Sequence, residues 1–124
     1  MWLFARFGFF SVVVDKDNPG YLLVRARMPG DLETLKSRYL PELGPIAETP
    51  ERDYRFRASV RKQAFTATVS SIAEDITYTN FKDEVKHVQG DRRAAWYADV
   101  WSVMCEMQSQ EEKSEGGCTR PKGK

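Results

Sequence analysis

The stretch Asp53-Tyr54-Arg55-Phe56-Arg57-Ala58-Ser59-Val60-Arg61, continued by Lys62-Gln63-Ala64-Phe65, decides the fold. Up to Arg61 the pattern has a period of two: Tyr54, Phe56, Ala58 and Val60 alternate with Arg55, Arg57, Ser59 and Arg61. Successive side chains of a strand point to opposite faces, so the alternation predicts a strand with one apolar and one arginine-bearing face. From Lys62 the period is that of a helix, with Phe65, Val69, Ile72, Ala73 and Ile76 at i, i+4, i+7, i+8 and i+11.

Two strands precede this switch. Met1–Val14 is rich in aromatic and β-branched residues and predicts one buried strand. Asp15-Lys-Asp-Asn-Pro-Gly20 is a turn signal, and Tyr21–Met28 resumes as the second arm of an antiparallel hairpin. Pro29-Gly30-Asp31 breaks that strand and offers Asp31 as a helix cap; Leu32, Leu35, Tyr39 and Leu40 then form one helical face, stopped by Pro41. A short strand fits around Pro45–Glu48.

Helices follow. Thr77–Asn80 interrupts the first, Asn80 is a cap supported by Asp83, and Phe81–His87 is a short helix closed by Gln89-Gly90. Asp91 caps a last helix with Tyr97, Val100, Trp101, Met104 and Cys105 along one apolar stripe. The order β-β-α-(β)-β-α-α-α predicts an α+β fold: two layers, with a mainly antiparallel sheet of three or four strands and helices on one face. The other face is left to solvent or a partner.

Composition bounds this reading. The 124 residues are 41% hydrophobic and 30% charged, as expected of one soluble domain that needs no disulfide or metal to hold its core. Residues 111–124 contain nothing that can pack, and read as a disordered polar tail after a single domain over 1–110. Met1–Val14 is interrupted by Arg6, lacks a cleavage motif and is shorter than the ~20 residues of a membrane span, so no membrane association and a cytoplasmic location are expected. Two cysteines, Cys105 and Cys118, and one histidine have no metal-ligand spacing, and neither a metal nor a cofactor is expected.

The net charge is only +1, but the charge is unevenly placed. The three strand segments carry seven bases (Arg6, Arg25, Arg27, Arg55, Arg57, Arg61 and Lys62) and no acid, whereas Phe65–Gln108 carries seven acids against four bases. Arg25 and Arg27 share a face of one strand with Tyr21 and Leu23, and Arg6 is in phase with Trp2, Phe4, Gly8 and Phe10. Arginine beside aromatic rings can hold phosphate or carboxylate and stack on bases. The candidate binding residues are therefore Arg6, Arg25, Arg27, Tyr54, Arg55, Arg57 and Arg61, with Lys82 added from Tyr78-Thr-Asn-Phe-Lys82 at a helix start.

Three functional readings stay open. The first is a non-enzymatic binding or regulatory module, using the arginine face for self-association or for an anionic partner, protein or nucleic acid. The second is a small enzyme on an anionic metabolite, with Arg25, Arg27 and Arg57 holding the anion and Tyr54, Tyr97, Lys82 or His87 transferring protons. The third is a purely structural homodimer. No nucleophile elbow, P-loop, zinc-protease or dinucleotide-binding motif is present. The stripe Trp96, Tyr97, Trp101, Met104 and Met107 reads as core packing rather than a cofactor slot.

Phe7-Gly-Phe-Phe-Ser-Val-Val13, Val24-Arg-Ala-Arg27, Tyr39-Leu-Pro41, Asp53-Tyr-Arg-Phe-Arg57, Tyr78-Thr-Asn-Phe-Lys82 and Val100-Trp-Ser-Val-Met104, in this order, carry a resemblance. Together they resemble a family of small bacterial proteins labelled hypothetical, over most of residues 1–107. The resemblance implies a stand-alone cytoplasmic domain and brings no activity, cofactor or catalytic set.

Overall fold

The computed structural model describes residues 1–114. The elements are β1 (Trp2–Ala5), β2 (Gly8–Val14), β3 (Tyr21–Ala26), α1 (Pro29–Arg38), β4 (Ala47–Glu48), β5 (Phe56–Arg61), α2 (Lys62–Glu74), α3 (Phe81–Gln89) and α4 (Asp91–Ser114). The strands form one antiparallel sheet in the order β1-β2-β3-β5-β4, and the α+β class is as expected. The chain divides into two compact units, Met1–Thr79 and Asn80–Lys124, at the Thr77–Asn80 interruption.

The sheet has five strands because Met1–Val14 is a hairpin and not one strand. Ala5 pairs with Gly8 across a two-residue turn, Arg6-Phe7, and Met1 and Val12 exchange both backbone hydrogen bonds at the open end. The turn flips the alternation, so Leu3 and Ala5 share a face with Phe10 and Val12, while Trp2 and Phe4 share the opposite face with Phe9 and Ser11. Gly8 is required at the close of this turn: a Cβ there would lie 3.0 Å from the Asp31 side chain.

One face of the sheet is the core. Phe10, Val12, Val24, Ala26, Ala58 and Val60 pack against Leu32 and Leu35 of α1 and Phe65 of α2. Burying a large apolar side chain is worth about 1.5–3 kcal/mol, so this layer supplies the drive that fixes the register. Asp31 is not the cap of α1: Met28 occupies that position. The Asp31 carboxylate instead accepts the Phe9 N–H at 3.0 Å, joining α1 to β2. Ile76, expected on the apolar face of α2, lies beyond its end and is exposed.

In the second unit, Asn80 caps α3 by accepting the Asp83 N–H at 2.9 Å, as its sequence position predicts. Gly90, at a φ of 92°, turns the chain into α4, and Phe81 stacks on the buried Tyr97 ring. The stripe expected to be core is mostly exposed. Trp96, Trp101, Met104 and Met107 face outward and Tyr97 alone of the five is buried. Helix α4 also runs to Ser114, four residues into the stretch expected to be a tail. Gln108–Glu112 and Gln110–Glu106 hydrogen bonds, each four residues apart, support that last turn. The rest of the tail expectation, 115–124, lies outside the described residues. No helix among the described residues is long and apolar enough to cross a membrane.

Candidate binding face

The sheet face opposite the core carries Trp2, Phe4, Phe9, Ser11, Leu23, Arg25, Arg57 and Ser59, placed by strand alternation and by the pairings Trp2–Ser11, Ser11–Arg25 and Arg25–Arg57. Arg25 and Arg57 are thus direct neighbours across β3 and β5. Like charges in that relation repel. The sequence puts them there because both strands must turn their apolar residues to the helices.

Tyr54 organises this cluster, and it does so from the other side of the alternation. The strand begins at Phe56, so Tyr54 precedes it in a bend held by the Asp53 carboxylate accepting the Tyr54 N–H at 2.9 Å. Freed from the strand's phase, the ring folds onto the arginine face instead of into the core layer. It is 4% exposed. The Arg27 and Arg25 guanidinium carbons lie 4.2 Å and 4.7 Å from its centroid, the distance at which a cation is drawn to an aromatic face. The ring also lies 6.4 Å from Phe9, which stacks on Phe4 at 4.3 Å and meets Trp2 edge-on at 5.8 Å. A strip of four aromatic rings, ending in a Trp2 that is 65% exposed, therefore adjoins three guanidinium groups.

The partners of those guanidinium groups are all neutral among the described residues. Arg25 donates to Ser11 Oγ at 2.7 Å, and Arg27 to the Asp53 carbonyl at 2.7 Å. Arg57 donates to Thr49 Oγ1 and to the Tyr54 carbonyl, each at 3.1 Å. Arg25 Nε is buried with no acceptor. The nearby carboxylate of Asp15 is engaged by the Ser59 hydroxyl at 2.8 Å. The result is three guanidinium groups held without an ion-pair partner among the described residues.

The remaining sequence candidates are placed elsewhere. Arg55 is paired with Glu48 at 2.7 Å and Arg61 with Glu42 at 2.9 Å, both pairs half exposed, and the Glu42 hydrogen bond holds Arg61 further in its charged form. Arg6 sits in the β1–β2 turn and not in strand phase with Trp2 and Phe4. Its guanidinium lies over the Tyr78 ring at 5.8 Å. Arg6 also reaches Tyr39, whose hydroxyl donates to Asp75 at 2.6 Å, beside a cavity of about 100 Å³. Burial and the hydrogen bond to Asp75 raise the Tyr39 pKa against the opposing pull of Arg6. Lys82 belongs to the second unit, where its ammonium lies 5.6 Å from the Trp101 ring.

Sequence phase puts Trp2 and Phe4 on the arginine face together with Phe10, which the structure places in the core instead; Phe9 and Thr49 were missed. The signal that could have shown the change of phase is Arg6 followed by the buried Gly8, which together mark a turn inside a mostly apolar run. No group of three or more His, Cys, Asp or Glu residues that could hold a metal occurs among the described residues. Compared with protein-family models, with curated proteins and with solved structures, the chain gives no match.

Proposed function

We propose that the protein is a non-enzymatic binding module whose outer sheet face takes single-stranded nucleic acid. The observation that carries this reading is the contact of Arg25 and Arg27 with the buried Tyr54 ring, beside Arg57, with none of the three in an ion pair among the described residues. Holding like charges this close costs stability in the free protein, and an anionic backbone laid across them removes that cost. The Trp2–Phe9–Phe4 strip supplies faces on which unpaired bases stack, each worth about 1–3 kcal/mol.

Self-association through the same face is disfavoured by the same charges. A two-fold interface presents one patch to its own copy, and three guanidinium groups without an ion-pair partner among the described residues would meet three more. The enzyme reading receives less support. Tyr54 is buried and used as a platform for two guanidinium groups.

The test is titration of a labelled oligonucleotide at several salt concentrations. Three phosphate contacts to a single strand predict a log–log salt slope of about −2. Arg27→Glu, at an exposed position, should abolish binding and leave the fold intact. An absence of binding even at low salt refutes the proposal, and binding unchanged in Arg27→Glu would place it on another surface.

A further inference from the structure

We propose that two copies of the chain pair antiparallel through α4. The carrier is a line of exposed residues along that helix, independent of the arginine face: Arg92, Trp96, Val100, Val103, Met107 and Glu111. Their spacings are four, four, three, four and four residues, which stays on one side of a helix of 3.6 residues per turn. Trp96 and Val103 are each 66% exposed, on an element that buries only Tyr97. Isolated exposed apolar residues are ordinary, but a continuous stripe of them marks an interaction surface.

The order of chemistry along the line identifies the occupant. It reads the same from either end in spacing and opposite in charge: a base, four apolar residues, an acid. A two-fold axis midway between Trp101 and Ser102 therefore brings Trp96 of one copy to Met107 of the other, Val100 to Val103, and Arg92 to Glu111. Each contact is complementary. The thioether suits an aromatic ring edge, the two valines fill the centre, and the end charges are opposite. Parallel pairing would instead set Arg92 against Arg92 and Glu111 against Glu111. Met104, also exposed, lies beside the seam and extends its apolar width.

The test is sedimentation equilibrium of the full chain across a concentration series. The intact protein is expected to be a dimer, and Val103→Glu, at an exposed position, to shift it at least tenfold toward monomer with unchanged circular dichroism. Arg92→Glu alone should weaken the dimer, and Arg92→Glu with Glu111→Arg should restore it. A protein monomeric throughout, or a dimer indifferent to Val103→Glu, overturns the proposal. A charge swap that fails to restore assembly overturns the antiparallel arrangement.

Discussion

Arg25 and Arg57 stand directly opposite each other on neighbouring strands, both turned to the face away from the core, and neither is paired with a carboxylate among the described residues. The expected consequence is a repulsive coupling. In a double-mutant cycle with Arg25→Gln and Arg57→Gln, each single variant already relieves the repulsion, so the double variant should be less stable than the sum of the single effects implies, by about 0.2–1 kcal/mol. Urea unfolding at low and high salt checks it. A coupling of the opposite sign, or one that does not shrink as salt screens the charges, would contradict the account.

The Tyr54 ring matters for its face and not for its hydroxyl. Tyr54→Phe should leave stability and the geometry of Arg25 and Arg27 almost unchanged. Tyr54→Ala should cost about 3 kcal/mol, because it removes a buried aromatic side chain and leaves two guanidinium groups without their platform. Denaturant midpoints of the two variants decide this. Equal losses in both would mean that the hydroxyl has a role that the ring contacts do not explain.

Tyr54 also shows where the sequence stops being readable. The alternation from Phe56 to Arg61 gives the strand, the arginine face and the switch to α2 correctly, because burial on one side forces a period of two. Tyr54 fits the same arithmetic yet lies outside the strand, and a bend held by Asp53 sends its ring to the opposite face. Met1–Val14 hides its turn for a related reason. Apolar residues occupy both faces of β1 and β2, so Arg6, the one charge at the change of phase, reads as an interruption of a single strand rather than as a turn. The strip of Trp2, Phe4 and Phe9 was illegible without that turn. Residues of α4 show the converse: a helical apolar stripe reads as core, but spacing alone does not say what covers it.

The junction between the hairpin and α1 makes a separate prediction. Asp31→Ala leaves the Phe9 N–H without its acceptor and should cost about 1–3 kcal/mol. Gly8→Ala should also destabilise, since the new Cβ meets the Asp31 side chain at 3.0 Å. The two effects should not add. With Asp31 truncated, the added methyl at position 8 loses one of its closest neighbours, and the double variant should be more stable than the sum of the singles implies. Thermal unfolding of all four proteins measures the difference, and strict additivity would show that the two residues do not press on each other.

Tyr39 gives the pH dependence. Its pKa is raised, chiefly by burial and by the hydrogen bond that its hydroxyl donates to Asp75. A folded pKa above the unfolded value means that the folded protein holds the phenol proton more tightly. The associated stability is then complete below the unfolded pKa of about 10 and is lost as pH rises through the folded one. Ionised Tyr39 can no longer donate to Asp75 and is repelled by it. At about pH 8 the wild type should exceed Tyr39→Phe by about 0.5–1.5 kcal/mol, the ordinary worth of such a hydrogen bond. That gap should close, and can reverse, by about pH 11, while lysine titration affects both proteins alike. Urea unfolding of the pair at several alkaline pH values reads the gap directly. A difference that stays constant from about pH 8 to about pH 11 would mean that Tyr39 loses its proton no more readily unfolded than folded.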